Sequence, residues 1–249
     1  MSSLIKIQAV SKYYGNKQNP IRALGPVDLQ IEKGSFTVIL GRSGSGKSTL
    51  LNLMAGLDKV TSGELVVGED NLSRAKSNKL AKYRSKIGII FQFYNLLPNL
   101  NTLENVMMGA WAGGNAVSEK EATDILTTLG LEHRITANVK TLSGGEKQRV
   151  AIARSLIGNP EILFCDEPTG ALDSKSEQDV QEILFKLHKK NNLTVVLVTH
   201  NPDFVKYADK VVTMQDGSII KIDLKNQEAQ VGENEEIMLR PNLEPIVVG

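Results

Sequence analysis

The sequence is short of the residues that staple or anchor small folds. Among 249 residues there are one cysteine and one tryptophan, and aromatic residues make up 5%. A single thiol, Cys165, can close no internal disulfide and cannot by itself hold a zinc ion, which agrees with a reducing compartment. In its apolar strand it reads as a small packing residue with no chemistry. Long apolar runs are also missing: LTVVLV at 193–198 is among the longest, far below the roughly 18–20 residues a membrane span needs. The opening MSSLIKIQAV lacks the basic-then-apolar pattern of a secretion signal, so the expected compartment is the cytoplasm. A formal net charge of +1 gives no general pull toward nucleic acid, and no nucleic-acid partner is expected. No internal repeat or low-complexity tract is present, which sets aside fibrous and solenoid classes.

What remains is a chain of ordinary globular make-up, 41% hydrophobic and 23% charged, long enough to bury a substantial core. Its charge is uneven: residues 1–90 carry 14 Lys and Arg against 6 Asp and Glu, and residues 223–249 carry 2 against 6. Arg74, Lys76, Lys79, Lys82, Arg84 and Lys86 concentrate the basic excess. Their spacing suits a solvated helix, with attraction to anionic lipid headgroups as the sharper, less favoured reading.

Strand and helix patterns alternate, the mark of an α/β fold on a mostly parallel sheet. FTVIL at 36–40, IGIIF at 87–91, EILFC at 161–165, LTVVLVT at 193–199 and KVVTM at 210–214 read as strands, and 50–57 reads as a helix. Between 103 and 142 the pattern turns helical, with a loop at 115–118. After 222 it becomes acidic and loses periodicity, so 1–222 reads as the folded domain and 223–249 as an appendage.

GRSGSGKST at 41–49 fits G-x-x-x-x-G-K-[ST] and lies between a strand and a helix, the context the phosphate loop requires. Gly41, Gly44 and Gly46 let backbone N–H groups curl round phosphates, together with Arg42, Ser43, Ser45 and Thr49. Lys47 would reach the β and γ phosphates, and Ser48 would offer its hydroxyl to Mg²⁺. The strand at 161–165 runs into Asp166 and Glu167 at a carboxyl end, where open α/β sheets bind ligands. Asp166 suits the metal and Glu167 the attacking water. In TLSGGEKQR, Ser143 and Glu146 form a capping box, and Gly144 and Gly145 leave first-turn N–H groups uncovered. A second copy's nucleotide could sit there, which predicts a head-to-tail homodimer sharing two ATP.

The ordered set GRSGSGKST, Gln92 in IIFQFYNLLP, LSGGE, ILFCDEP, ALD at 171–173 and His200 resembles the nucleotide-binding subunits of ATP-binding cassette (ABC) transporters over residues 3 to about 222. The resemblance implies a P-loop NTPase core with a mostly parallel sheet, an N-terminal antiparallel β portion and a helical subdomain inserted at about 93–160. It implies ATP hydrolysis with Mg²⁺. It gives Gln92 a contact to Mg²⁺ and water, Asp173 a reach across the dimer, and His200 a contact to the γ-phosphate. Tyr14 is the expected platform for adenine, with Tyr13 as its competitor. His133 and His188 have only structural readings.

LNTLENV, LDKVTSGEL and the run from SGGEKQRVAIARSL into EPTGALD look most like the lipoprotein-release and macrolide-export branch (MacB/LolD type). Arg42, where that branch carries proline, and WAGGNAV at 111–117 depart from it. An import ATPase shares every catalytic motif and is the alternative. A chromosome-maintenance ATPase would need long heptad arms, which are missing. The partner implied is an integral-membrane permease, holding the chain on the inner face of the membrane. Tyr94, Leu96, Leu97 and Pro98, with Leu100, Val106, Met107 and Met108, are expected to line a groove for a permease helix.

Overall fold

The computed structural model describes residues 2–16, 18–111, 114 and 116–225. Along the chain run β1 (Ser3–Gly15), β2 (Pro20–Glu32), β3 (Phe36–Leu40), α1 (Lys47–Met54), β4 (Ser62–Val67), β5 (Asp70–Asn71), α2 (Ser77–Arg84), β6 (Ile87–Ile90), α3 (Thr102–Trp111), α4 (Glu119–Thr128), α5 (Gly144–Leu156), β7 (Ile162–Asp166), α6 (Ser174–Asn191), β8 (Thr194–Thr199), β9 (Lys210–Gln215) and β10 (Ser218–Leu224). Two compact units divide them: among the described residues, one combines the chain up to Arg84 with residues 194–225, and the other is Ser85–Leu193.

In the first unit, β2-β1-β4-β5 form an antiparallel sheet, while β3 lies between β8 and β9 in parallel register, with β10 antiparallel on β9. Phe36, Val38, Ile39 and Val195–198 are fully buried, as expected of strands covered on both faces. Helix α1 begins at Lys47, three residues before the apolar pattern suggests, because Gly46 at φ 92° turns the loop straight into it. On α2, Leu80 and Tyr83 are buried while Lys79 and Lys82 are exposed. Lys79 pairs with Asp70 at 3.3 Å, and Arg84 donates to Gly56 O at 3.0 Å. The basic cluster is therefore the solvated face its spacing suggests, partly neutralised by its own neighbours.

In the second unit, β6 and β7 pair in parallel, and α5 packs against α3, α4, α6 and β6. Helix α4 starts on a capping box made by Ser118 and Glu121. Cys165 is fully buried in β7, and burial followed by the adjacent Asp166 charge pushes its thiol far up, which leaves it inert. His188 is buried, with Nδ1 2.9 Å from Leu193 O.

Of the expected appendage 223–249, Asp223 and Leu224 complete β10, so the last strand runs two residues past 222. Residues 226–249 lie outside the described residues. Among the described residues no helix is long and apolar enough to cross a membrane.

Candidate functional site

The phosphate loop leaves the carboxyl end of β3, where Leu40 pairs with Thr199 of β8. Gly41 and the exposed His200 therefore emerge side by side from one edge. Gly41 admits no side chain, since a Cβ there would collide with Ser45 Oγ and with Met214 O. Gly44 (φ 78°) and Gly46 (φ 92°) are left-handed; a Cβ at Gly44 would meet nothing within 4 Å, and one at Gly46 would lie 2.8 Å from Ala23 O. The loop is thus a cradle with open space at Gly44 and tight packing below it. Inside it, Ser45 is 5% exposed and its Oγ has no hydrogen-bond partner. A buried hydroxyl without a partner is costly, so the residues fit an anion able to supply an acceptor. Lys47, also buried, donates to Gly41 O at 2.9 Å and Arg42 O at 3.1 Å, which holds its ammonium at the loop.

Tyr13 and Tyr14 are equally exposed, at 41% each, but their surroundings differ. The Tyr14 phenol donates to Asp58 Oδ2 at 2.8 Å and feels the Thr49 hydroxyl. Tyr13 is fixed through its backbone N–H, which donates to Thr61 Oγ1. Tyr14 is therefore the aromatic ring set beside the phosphate-loop helix.

In the second unit, Ile90 of β6 pairs with Cys165 of β7, so Gln92 and the Asp166–Glu167 pair also leave one strand edge together. Gly170 lies between them: a Cβ there would stand 3.2 Å from Gln92 Nε2 and 3.7 Å from Glu167 Cβ. Glu167 takes φ 46°, rare for a non-glycine residue. Strain of this kind concentrates at functional positions.

The capping box expected at Ser143 is formed: Ser143 Oγ accepts from Glu146 N at 3.2 Å, and Glu146 Oε2 accepts from Ser143 N at 2.7 Å. Glu146 is further held by Arg134 Nε at 2.8 Å, with His133 3.7 Å away. Desolvation alone would raise this carboxyl, but the Ser143 and Arg134 hydrogen bonds outweigh it and hold it below the usual glutamate range. Gly145 has a local reason that the sequence did not reveal: a Cβ there would sit 2.7 Å from Ser176 Oγ of α6. Its glycine thus has a packing reason within one chain besides the anion-binding one, which uses the backbone N–H and needs no side chain. Asp173 caps α6, accepting from Ser176 N at 3.1 Å and Ser176 Oγ at 2.8 Å. Chiefly the Ser176 N–H holds its carboxyl low.

The segment after Gln92 differs from a simple groove. Val106 is fully buried and Met107 nearly so; both belong to the packed interior of α3, not to an open surface. Tyr94 is turned inward: its phenol donates to Ala171 O at 3.4 Å and would meet a Cβ on Gly144 at 3.3 Å. Leu97 and Pro98 are exposed and Leu96 is half-buried. Phe93, absent from the expected set, is 73% exposed. Two further residues went unnoticed in the sequence. Asn105, fully buried, accepts from Leu97 N and donates to the carbonyls of Leu97, Leu100 and Asn101. Arg154 of α5 donates to the carbonyls of Tyr94 and Asn95. A polar residue on the apolar side of α3, at the helix-facing spacing of Thr102, Val106 and Met107, was the available signal for Asn105; Arg154 had none.

The chain matches the family model described as ABC transporter over residues 24–170. It is 41% identical to the lipoprotein-releasing system ATP-binding protein LolD of Geobacter metallireducens, across 88% of this chain and 99% of that protein. It is 42% identical to the macrolide export ATP-binding/permease protein MacB of Hyphomonas neptunium, across 92% of this chain but only 36% of that longer protein. A methionine import ATP-binding protein, MetN 1 of Staphylococcus epidermidis, is 38% identical across 88% of this chain and 65% of its own length. Among solved structures, the dimeric post-hydrolysis state of the ATP-binding cassette MJ0796 bound to ADP and Pi superposes with a TM-score of 0.82 at 38% identity, covering 88% of this chain and 98% of that one.

Proposed function

The chain belongs to the ABC transporter family as an ATP-binding, ATP-hydrolysing subunit, and from that premise we propose that it closes as a head-to-tail homodimer on two ATP and drives an exporter-type or mechanically coupled permease. The observation that carries the reading is the phosphate cradle with its buried, partnerless Ser45 hydroxyl. In this reading the loop from Gly41 to Thr49 holds the triphosphate, Lys47 neutralises the β and γ phosphates, and Tyr14 stacks on the adenine. Ser48, Gln92 and Asp166 would hold Mg²⁺, which when bound withdraws charge from the phosphate oxygens. Glu167 accepts the proton of a water whose oxygen attacks the γ-phosphorus as the bond to the β–γ bridging oxygen breaks, and His200 steadies the charge on the γ-phosphate. Ser143, Gly144, Gly145, Glu146 and Asp173 of a second copy complete the site, so that ATP binding favours the dimer and hydrolysis releases it.

The exporter branch is supported by the 41–42% identity to lipoprotein-release and macrolide-export subunits; the import reading is supported by the 38% identity to a methionine-import subunit. Phe93, Leu97 and Pro98 are the surface offered to a permease helix. The test is Glu167→Gln with ATP. An ATP-dependent dimer by light scattering, co-purifying from detergent-extracted membranes with a permease of few spans and a large external domain, is the expected result. A many-span permease with a solute-binding protein would favour import, and a variant that hydrolyses ATP at the normal rate would remove Glu167 as the base.

A further inference from the structure

The turn after α1, where the stretch LDKVTSGEL begins, carries a buried charge that the nucleotide reading does not use. Lys12 of β1 is 9% exposed, and its ammonium donates to Asp58 Oδ1 at 2.6 Å and to Lys59 O at 2.8 Å. The other oxygen of the same carboxylate accepts the Tyr14 phenol at 2.8 Å. Sharing the Asp58 carboxylate brings Lys12 Nζ to 4.7 Å from the centroid of the Tyr14 ring. Lys12 is buried while 41% of Tyr14 is exposed; with the ammonium over one face of the ring, the opposite face is the one on which a base could stack. The Tyr14 phenol is raised by burial and by Asp58. Desolvation alone would raise the Asp58 carboxyl too, but the Lys12 and Tyr14 hydrogen bonds reverse the sign. Asp58 is thus held as a carboxylate and Tyr14 as a neutral phenol, and both are joined to the Lys12–Asp58 ion pair.

We propose that Lys12 and Asp58 are positioning residues that lock the Tyr14 ring as a ready-made platform for the purine base of ATP. Asp58 fixes the ring's tilt through the phenol, and Lys12 fixes its depth from beneath. A cation under one face of an aromatic ring draws π density toward itself, which leaves the opposite face better matched to an electron-rich purine. A ring already held at its binding angle loses little rotamer freedom when the base arrives. The inference rests on Tyr14 being the base platform, and the experiment separates the two.

ATP hydrolysis by the full chain is measured for KM, alongside inhibition by inorganic tripolyphosphate, which fills the phosphate cradle but has no base to stack. Tyr14→Ala should raise KM about tenfold, the ordinary loss for a base–aromatic stack. Tyr14→Phe keeps the ring and the cation and removes only the bond to Asp58; Lys12→Ala removes the cation. Each should raise KM about two- to fivefold, leaving tripolyphosphate inhibition unchanged, and Lys12→Arg should restore KM. If Tyr14→Ala raises KM while Tyr14→Phe and Lys12→Ala do not, the positioning role is wrong and the stack stands. If Tyr14→Ala leaves KM unchanged, the stack itself is wrong and the positioning role goes with it. A parallel weakening of tripolyphosphate would mark the triad as a mere support of the phosphate loop and would equally overturn the proposal. Should Lys12→Ala fail to fold, the near-isosteric Tyr14→Phe decides alone.

Discussion

Replacing Arg154 by Ala tests whether the loop after Gln92 is held from the C-terminal end of α5. Arg154 Nη1 donates to Asn95 O at 2.6 Å and Nη2 to Tyr94 O at 2.7 Å. The two residues gripped are consecutive and both left-handed, at φ 50° and 60°, a conformation costing a non-glycine residue of order 1 kcal/mol. A hydrogen bond from a charged donor is worth about 1.5–3 kcal/mol. The bond to Asn95 lies at the exposed end, where water replaces most of it, whereas the bond to Tyr94 is partly buried. The loss should total about 2–3 kcal/mol, most of it from the Tyr94 carbonyl, and for a chain of this size that lowers Tm by roughly 5–10 °C. Burial pulls the Arg154 guanidinium below its usual value, yet it stays charged at any working pH, so the effect should not depend on pH near neutrality. Differential scanning calorimetry measures the shift. Arg154→Lys should recover less than half, because an ammonium lacks the planar fork that meets two carbonyls at once. A Tm within about 2 °C of the parent would refute the reasoning, since water would then be as good a partner for Tyr94 O as the guanidinium.

Three other perturbations follow from the site. Ser45→Ala removes the buried partnerless hydroxyl, so the nucleotide-free protein should gain about 1 kcal/mol in urea unfolding while its KM for ATP rises; a less stable variant, or an unchanged KM, contradicts the cradle. Gly145→Ala places a methyl 2.7 Å from Ser176 Oγ and should cost about 1–3 kcal/mol by pushing α6 away from α5, with an unchanged unfolding midpoint counting against that packing. Glu146, held below the usual glutamate range, contributes stability that is complete above its unfolded value of about 4.3 and is lost as pH falls through the folded one. Arg134→Ala should therefore narrow the stability gap between about pH 7 and pH 3, and a gap of parental size would show that Arg134 does not set the Glu146 carboxyl.

The parts of the site that were legible in the sequence are those whose physics is local. A phosphate loop needs glycines in left-handed backbone between a strand and a helix, and a capping box needs Ser and Glu three apart, so GRSGSGKST and SGGE announce themselves within ten residues. The buried strands β3, β7 and β8 were legible for the same reason, as short apolar runs. The N-terminal antiparallel portion was legible only through the family resemblance, because the alternation of β1 is interrupted: it has register shifts against β2 on both sides of Val10 and again at Lys12, and Ala9 takes φ 46°. A period-2 pattern slips phase at each bulge, so no single alternation runs through the 13 residues of β1. The remaining features are long-range. Arg154 meets Asn95 across 59 positions and Lys12 meets Asp58 across 46, and no periodicity links such pairs. Gly145 makes a related point, because its glycine has a packing reason against Ser176 that no local pattern announces, beside the ligand-binding one that the motif suggests. A motif fixes which groups are present at a site; the packing around them decides how each is held, as the partnerless Ser45 hydroxyl and the Asp58-bound Tyr14 phenol show.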